Sequence, residues 1–401
     1  MAISDLTSAQ RLRFILAGGG TGGHIYPAIS IGRELLSRHP GAEILFVGGD
    51  RGLERDLVPR EGFPFRAIRV SGFRRKLSAD TIATAFRAVQ GVFQSVAIIR
   101  GFRPTAVIGT GGYASGPVGL AAVLLGCPLI IHEQNVVPGV TNRMLSRSAQ
   151  TVAISWEESR RFLRRPERAV LTGNPIRADV MSASRDEGIR SLGLNPRRKV
   201  VLAFGGSQGS ETINKAFIAA AAGRELRCDH GVQLVLACGK GKFDTAVRLA
   251  GAAELPVIVG PDGIGRSGSG DLILMPYIYN MPQALACADL VVSRSGAITL
   301  AELAARGVPA VLVPHPYVPD NVQEKNARAM AARGAARVIL DRDLTPESLT
   351  AHVVSLISSP SALRQMGDSA RAAGIPDATA RVADCVERAV GWTCSRKGQK
   401  A

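Results

Sequence analysis

Two stretches of this chain share one order of features: a short apolar segment, a glycine-rich loop and then a helix-like segment. The first runs from Phe14 to His24 and the second from Val200 to Ser210. A strand that ends in a glycine-rich loop before a helix opens a βαβ unit, and such units build parallel sheets covered by helices. Because the pattern opens both halves of a 401-residue chain, it predicts two similar α/β domains.

Short runs rich in β-branched residues recur along both halves, and nearly all end in glycine or a small polar residue, which is typical of strands in such units. The stretch from Gly173 to Arg177 and the polar run 182–198 separate the halves. We therefore expect one domain over 11–175, a second over 176–377, a low-complexity mobile loop at 263–270 and a mobile basic tail at 393–401. The predicted strands are 13–17, 44–47, 106–108, 129–131, 151–154, 170–172, 200–204, 233–237, 272–275, 290–292, 310–313 and 337–340.

Composition narrows the class of protein. The 49 Lys and Arg against 33 Asp and Glu give a formal charge of +16, and 46% hydrophobic residues exclude a wholly disordered chain. No apolar run reaches the roughly 20 residues that cross a bilayer, and the start of the chain lacks a signal peptide's apolar core, so we expect a cytosolic protein. The six cysteines have no metal-ligand spacing, which predicts reduced thiols and no metal site.

The positive charge is concentrated between Arg60 and Arg103, which hold nine Lys or Arg and only two acidic residues. Apolar residues recur at helical spacing from Phe73 to Val96 within this stretch. Such a segment can lie on an anionic membrane surface, or it can be an amphipathic helix that packs on its own sheet and exposes a basic side. Only 5% of residues are aromatic and no aromatic platform for stacking bases interleaves with the basic runs, which argues against a nucleic-acid partner.

The first glycine loop, Gly18 to Gly23, fits the GxGxxG pattern of dinucleotide sites. The acid expected at the end of the next strand is poorly matched, because Asp50 follows two glycines. A P-loop is excluded, since no GK[ST] follows either glycine cluster. Backbone N–H groups and a helix N-terminus suit diphosphate oxygens without a cation, although a glycine turn made only for tight packing remains the structural alternative.

His24 directly follows the first glycine loop, where an imidazole can contact a phosphate or accept a proton from a hydroxyl. Two more polar loops, 109–117 and 132–135, also follow predicted strands. Parallel strands end at one edge of a sheet, which is where doubly wound sheets bind ligands. We therefore expect these three loops to converge.

In the second half, Thr299 and Glu302 have the spacing of a helix capping box, but a carboxylate there can also accept both hydroxyls of a ribose. The run 314–327 carries amide side chains suited to sugar hydroxyls. The single DxD, Asp341 to Asp343, precedes a helix-start signal and is expected to be a solvated turn and not a metal site.

Six motifs lie along the chain between about residues 13 and 330: GGTGGH at 19–24, GTGGYASGP at 109–117, HEQN at 132–135, GNPIR at 173–177, GGSQG at 205–209 and SRSGA at 293–297. Together, and in this order, they resemble the MurG family, the bacterial N-acetylglucosaminyltransferases that convert lipid I to lipid II in peptidoglycan synthesis. The resemblance implies a GT-B fold, with two Rossmann-like domains that face a cleft and a C-terminal helix, about 378–392, that returns to the first domain.

The resemblance also implies the substrates: UDP-N-acetylglucosamine is held by the second domain, and lipid I, the acceptor, by the first. Ser207 is expected to contact the diphosphate, Ile278 the uracil, and Glu302 the ribose. Gln323 is expected to bind the sugar hydroxyls. The other expected binding residues are Thr21, Gly22, Gly23, Asn135, Arg177, Ala297, Ile298, Thr299, Leu300 and Ala301.

The implied reaction inverts the α-linked donor as the C4 hydroxyl of the N-acetylmuramic acid attacks, with no metal and no cofactor. His24 is the first candidate for the base and Glu133 the second. The resemblance places the enzyme on the cytoplasmic face of the bacterial inner membrane as a peripheral protein, with the Phe73–Val96 segment against the lipid. It further implies a role in cell shape and division, with cell-wall synthesis and division proteins as candidate partners.

Three features depart from the family pattern: Val322 before Gln323, Tyr279-Asn280 in the uracil loop, and the glycine-rich run 263–270. Two other functions stay open at this point. One is a UDP-sugar transferase for another lipid or natural product, and the other is a dinucleotide-dependent oxidoreductase.

Overall fold

The computed structural model describes residues 12–70, 79–223 and 225–392, except for the side chains of residues 79–86, 228 and 229. The chain divides into two compact units. Unit one comprises Met1–Ile176 and Pro376–Ala401, and unit two comprises Arg177–Ile375. No helix among the described residues is both long enough and apolar enough to cross a bilayer.

Unit one contains a parallel sheet of seven strands in the order β3-β2-β1-β4-β5-β6-β7. The order reverses between β1 and β4, so that their carboxyl ends form a topological switch point, which is the usual ligand position in such sheets. The strands are β1 Arg13–Gly18, β2 Glu43–Gly49, β3 Phe65–Ile68, β4 Ala106–Gly111, β5 Leu129–Glu133, β6 Thr151–Ile154 and β7 Ala169–Leu171. The α-helices are α1 Gly22–Arg38, α2 Glu54–Arg60, α3 Ala79–Phe102, α4 Ser115–Leu124, α5 Val140–Leu145 and, from the end of the chain, α15 Ala378–Ala389.

Alternate residues of the unit-one strands pack on opposite faces of the sheet. Phe14 and Leu16 belong to the core shared with α1 and α15, whereas Ile15 and Ala17 belong to the core shared with α4. Both faces are covered, which is why these strands are continuously apolar and not alternating. The sheet therefore has two cores, one on each face.

Helix α15 packs into unit one through Val382 and Val386. At the end of α1, the Arg38 guanidinium lies 2.7 Å from a carboxylate oxygen of Asp384 and 3.1 Å from one of Glu387. Apolar burial and this partly buried ion-pair network together hold the C-terminal helix on the sheet formed by the first part of the chain.

Unit two repeats the arrangement. Its sheet has the order β10-β11-β12-β9-β8-β13-β14-β15, in which β8, β9, β12, β13, β14 and β15 are parallel. The strands are β8 Val200–Phe204, β9 Gln233–Ala237, β10 Val257–Val259, β11 Gly265–Ser267, β12 Leu272–Met275, β13 Leu290–Ser293, β14 Ala310–Leu312 and β15 Ala336–Val338. The α-helices are α6 Ala178–Ser182, α7 Arg185–Leu192, α8 Glu211–Ala222, α9 Phe243–Ala252, α10 Met281–Cys287, α11 Ala297–Arg306, α12 Val322–Ala332, α13 Pro346–Ile357 and α14 Pro360–Ala373.

The glycine-rich run 263–270 is not the irregular loop that the sequence predicts. Its residues Gly265–Ser267 form β11, which pairs antiparallel with β10 and β12. Within the hairpin, Arg266 forms an ion pair with Asp262 at 2.9 Å. Gly263 and Gly270 have φ near +70°, which glycine adopts without strain and which allows the tight turns at the two ends of the strand.

Candidate active site

The loops after β1 and β4 meet at the carboxyl edge of the unit-one sheet. Their backbones approach so closely that a Cβ on Gly112 would lie 2.1 Å from the carbonyl oxygen of Gly19. Gly112 also has a φ of +81°, so any other residue would be both strained and crowded. The glycines of the two motifs thus allow two polar loops to lie side by side.

A buried carboxylate supports the first glycine loop. Glu54 of α2 accepts a hydrogen bond from the Gly20 N–H at 2.9 Å and another from the Gly49 N–H at 2.8 Å. The Gly20 N–H is therefore already hydrogen-bonded within the protein. The positive end of the α1 dipole lies at Gly22 and Gly23, the first two residues of the helix, and its first turn has no acidic residue. No pattern in the sequence connects Glu54 with this loop, and it was missed there.

His24 lies in the first turn of α1. Its Nδ1 atom is 2.9 Å from the carbonyl oxygen of Thr110 and 3.1 Å from Oε1 of Gln134. Both oxygens are acceptors, so Nδ1 carries the proton of the neutral ring, and the lone pair is on Nε2. This is the tautomer that can accept a proton at Nε2.

Three other predicted residues of unit one share the same turn. Thr21 is the N-cap of α1, and its carbonyl oxygen accepts hydrogen bonds from the backbone N–H groups of His24 and Ile25 at 3.1 and 3.3 Å. Gly22 and Gly23 are the first two residues of the helix. All three residues therefore directly precede His24 in the first turn of α1.

Glu133, the second candidate base, lies at the end of β5 and is buried. Its carboxylate accepts hydrogen bonds from the Asn135 N–H at 2.9 Å, the Gly139 N–H at 3.1 Å and Nδ2 of Asn142 at 2.8 Å. Asn135 Nδ2 also donates to it at 3.2 Å. This geometry gives Glu133 the role of fixing the loop that leads into α5.

In unit two, the loop between β8 and α8 exposes Ser207. Gly209, at a φ of +67°, packs so closely on the end of β9 that a Cβ there would lie 1.8 Å from the carbonyl oxygen of Cys238. Lys242 donates to the carbonyl oxygen of Gln208 at 2.6 Å. The predicted diphosphate loop is therefore held in place by the end of β9 and by Lys242, while Ser207 remains exposed to solvent.

Arg294, from the SRSGA motif, connects this loop to two others. Its Nη2 donates to Ser210 Oγ at 2.7 Å, and its Nη1 donates to the carbonyl oxygen of Pro314 at 3.2 Å. Nη1 also forms an ion pair with Asp341 at 2.5 Å. The motif marked this arginine, but its partners come from distant parts of the chain, so sequence reasoning did not assign it this role.

The ion pair with Arg294 corrects the expectation for the DxD. Asp341 is largely buried and paired, while Asp343 is exposed, so only the second carboxylate fits a solvated turn. Within the described ranges, no group of three or more His, Cys, Asp or Glu side chains is arranged to hold a metal ion.

Glu302 lies in α11, whose N-cap is Gly296. Because the helix begins before Thr299, the capping-box interpretation of Thr299 and Glu302 is wrong. The Glu302 side chain is only 8% exposed, and burial raises its pKa to about 7, against the opposing charge of Arg177. Arg177 Nη2 lies 3.7 Å from its Oε1, which is an ion-pair distance and too long for a good hydrogen bond.

The remaining predicted residues of unit two differ in whether their backbone or their side chain is available to a ligand. Ile278 and Leu300 are buried, so a ligand can meet their backbone and not their side chains. Gln323, at the start of α12, accepts a hydrogen bond at Oε1 from the His315 N–H at 2.9 Å, and its amide nitrogen is the end that can donate to a sugar oxygen. The half-buried residues in the first turns of α11 are Ala297, Ile298, Thr299 and Ala301.

Two family models match this chain. The glycosyltransferase family 28 N-terminal domain matches residues 14–154, and the family 28 C-terminal domain matches residues 200–382. A protein of Desulforamulus reducens named UDP-N-acetylglucosamine–N-acetylmuramyl-(pentapeptide) pyrophosphoryl-undecaprenol N-acetylglucosamine transferase is 42% identical over 377 residues, which are 94% of this chain and 98% of that protein. The protein of the same name from Bacillus cytotoxicus is 42% identical over 94% of this chain and 99% of its own length.

This chain belongs to that transferase family, the MurG family. The crystal structure of Acinetobacter baumannii MurG superimposes with a TM-score of 0.73 at 28% identity and covers 94% of this chain and 100% of that one. The resemblance predicted from the motifs, and the GT-B fold with two Rossmann-like domains, are thereby confirmed. A UDP-GlcNAc 2-epimerase of Neisseria meningitidis, solved with UDP-GlcNAc bound, has the same fold with a TM-score of 0.66 at 13% identity.

One departure from the MurG pattern has a clear structural setting. Tyr279 is exposed, and its ring lies 4.9 Å from that of Tyr277. The ammonium group of Lys240 lies 5.2 Å from the Tyr279 ring and 5.5 Å from the Tyr277 ring. A cation–π cluster thus flanks Ile278 in this chain.

The segment before Gln323 is also unusual. Asp320 and Asn321 have φ values of +56° and +50°, a left-handed conformation that Asp and Asn adopt more readily than other non-glycine residues. Two such residues in succession set the direction in which α12 begins, and hence the position of Gln323 in its first turn.

Proposed function

We propose that this chain transfers N-acetylglucosamine from UDP-N-acetylglucosamine to the C4 hydroxyl of the N-acetylmuramic acid of lipid I, giving lipid II. The observation that carries the proposal is the similarity to transferases named for this reaction, which extends over 98% or more of their length. It also covers 94% of this chain, and therefore both units.

In this proposal unit one binds the acceptor and His24 is the catalytic base. The acceptor hydroxyl gives its proton to His24 Nε2 while its oxygen attacks the anomeric carbon of the α-linked donor. Attack from the opposite side produces the β-linkage. The hydrogen bond from Nδ1 to the Thr110 carbonyl oxygen supports this role, because it keeps the lone pair on Nε2. Thr21, Gly22, Gly23 and Asn135 are the neighbouring groups that would contact the substrate.

Glu133 is the weaker candidate for the base. Its oxygens accept hydrogen bonds from four donors of Asn135, Gly139 and Asn142, so its lone pairs are committed to holding the loop that leads into α5. We assign it the role of placing Asn135.

Unit two holds the donor. Glu302 accepts the ribose hydroxyls, with Arg177 beside it, Ser207 contacts the diphosphate, and Gln323 donates to the sugar. The charge that develops on the leaving UDP is stabilised by backbone N–H groups at the start of α11, which has no acidic residue in its first turn. This arrangement needs no metal ion.

The acceptor is anchored in a bilayer, and three neighbouring helices of unit one suggest where the membrane lies. Each exposes two apolar residues four positions apart on one side of the helix. Helix α4 contacts both α3 and α5. The exposed pairs are Val89 with Phe93 on α3, Leu120 with Leu124 on α4, and Val140 with Met144 on α5.

We propose that these helices rest on the cytoplasmic face of the inner membrane. Arg143 lies between the two residues of the α5 pair and Arg147 follows them, and arginine side chains suit anionic lipid headgroups. The residues first expected to form the basic part of this face, Arg74, Arg75 and Lys76, lie outside the described residues. A place on the membrane would bring the enzyme to its lipid-linked acceptor and to the cell-wall synthesis and division proteins that are its candidate partners.

The test is transfer of labelled N-acetylglucosamine to a short-chain lipid I analogue in the presence of EDTA. The expected result is a disaccharide product whose new linkage is β, formed at the same rate with and without EDTA. UDP binding without transfer to this acceptor, together with transfer to an unrelated lipid or natural product, would contradict the proposed acceptor.

A further inference from the structure

A second histidine of unit one has a fixed protonation state. His132, on β5, is completely buried, and burial lowers its pKa to about 4, so it is neutral near neutral pH. Its Nε2 lies 3.0 Å from the carbonyl oxygen of Gly173. A carbonyl can only accept, so Nε2 carries the proton and Nδ1 carries the lone pair. His132 is therefore held in the tautomer opposite to that of His24.

Gln134 lies between the two rings. Its Nε2 is 3.0 Å from the His132 Nδ1 and 2.7 Å from the Thr110 carbonyl oxygen. Both are acceptors, which fixes the amide with its nitrogen on that side. Its Oε1 is then turned to His24 Nδ1, at 3.1 Å.

The hydrogen bonds therefore form one directional chain. It runs from the Gly173 carbonyl through His132 and Gln134 to His24, and each donor is determined by the group before it. Gln134 and His132 are both buried, so water does not compete for these bonds and reversal of any one of them would leave an unpaired polar atom.

We propose that Gln134 is a positioning residue for transfer, which, together with His132, holds His24 in the Nδ1–H tautomer with Nε2 ready to accept the proton. This inference rests on the proposed function, since it takes His24 as the base.

The proton balance is simple. The acceptor hydroxyl proton moves to His24 Nε2 as its oxygen bonds to the anomeric carbon, and the bond from that carbon to UDP breaks with the electron pair leaving on UDP. The imidazolium keeps its Nδ1 proton, shared with Thr110 and Gln134, and later releases the Nε2 proton to solvent.

The first test is nitrogen NMR of the wild-type protein labelled with 15N-histidine. The chain has six histidines, and spectra of His24→Gln and His132→Asn assign the two signals of interest. We expect His24 protonated at Nδ1 and His132 at Nε2. A His24 signal from the Nε2–H tautomer would overturn the proposal, and this measurement does not depend on any Gln134 variant folding.

The second test is the Gln134→Met variant. We expect kcat to fall about 10- to 100-fold while KM for UDP-N-acetylglucosamine changes less than about twofold. The loss is smaller than the roughly 10⁴-fold effect of a wrong histidine tautomer in serine proteases, because the Thr110 carbonyl still accepts from Nδ1. A kcat within about threefold of the wild-type value in a folded Gln134→Met protein would overturn the role of Gln134.

Gln233→Met is the matched control. Gln233, on β9 of unit two, is also buried, and its amide exchanges two hydrogen bonds with the backbone of Asn195, at 2.8 and 3.0 Å. We expect this variant to lower Tm and to leave kcat unchanged. No transfer by the wild type would contradict the proposed function itself, whereas a fully active Gln134→Met would contradict only the positioning role.

Discussion

At the scale of single residues, Glu302 is a buried carboxylate that we propose as the acceptor of the ribose hydroxyls. A carboxylate buried beside an arginine that is 3.7 Å away is incompletely compensated, which is why the pKa of Glu302 is raised to about 7. Two ribose hydroxyls would supply the hydrogen bonds that the ionised form lacks. Donor binding should therefore favour the carboxylate and lower this pKa.

The first prediction is a pH dependence of donor affinity. If the bound form has a lower pKa than the free form, protons compete with the donor, and affinity falls as pH drops through about 7. We expect UDP-N-acetylglucosamine to bind up to about tenfold more weakly at about pH 6 than at about pH 8, as measured by calorimetry. The intact donor is used because its diphosphate diester does not titrate in this range.

Glu302→Gln is the control for that measurement. It should bind the donor more weakly at the higher pH and lose the pH dependence, since its amide does not titrate. A wild-type affinity that is the same at both pH values would contradict the assignment of Glu302 to the ribose.

His24 was proposed as a site residue because it lies in a family motif, and Glu302 and Gln323 because they follow predicted strands in polar runs, but the sequence did not reveal what holds them. Glu54 supports a loop more than thirty positions before it in the chain. The pairing of Gln134 with His24 depends on the order of β1, β4 and β5 in the sheet. Such partners follow from strand order and register, which a list of motifs does not contain.

At the scale of elements, helices α3 to α5 expose neighbouring apolar pairs, and exposed apolar patches of this kind mark sites of protein or membrane contact. The second prediction concerns this face. Changing Phe93 and Met144 to Glu should weaken binding to anionic vesicles by about tenfold or more, since removing even one large apolar contact is worth about 1.5 to 3 kcal/mol. Transfer to a water-soluble acceptor analogue should be unchanged.

Ile258→Glu combined with Val259→Glu provides the matched control for vesicle binding. Ile258 and Val259 are apolar residues of β10 in unit two that are 76% and 46% exposed, so the control adds the same two charges at exposed apolar positions. Vesicle cosedimentation measures the binding of the test variant and of the control. An equal loss of vesicle binding in the two variants, or no loss on changing Phe93 and Met144, would place the membrane contact elsewhere.

Twelve of the strands were predictable because they are apolar runs rich in β-branched residues, and nearly all are followed by glycine or a small polar residue. β3, β10 and β11 were not. β3 is an edge strand with an exposed Arg66, and β10 and β11 are three-residue strands around a glycine-rich turn. Their pairing comes from the neighbouring β12, so local composition indicated only a loop.

At the scale of the whole molecule, the two units repeat one strand order, and the C-terminal helix α15 belongs to unit one. Two similar α/β domains with parallel sheets were predictable from the repeated strand and glycine pattern, whereas the strand order was not. The position of α15 was not predictable from its own sequence, because any amphipathic helix of this length offers a similar apolar face; the expectation came only from the family resemblance.

The measurement that tests the account most directly is kcat for transfer to the lipid I analogue by His24→Ala, with the dissociation constant for UDP-N-acetylglucosamine determined on the same protein. His230→Ala, in unit two, is the matched control. The account predicts a loss of about 10² to 10⁴ in kcat, donor binding within about twofold of wild type, and an unaffected control. A His24→Ala enzyme that binds the donor and turns over within about threefold of wild type would contradict it.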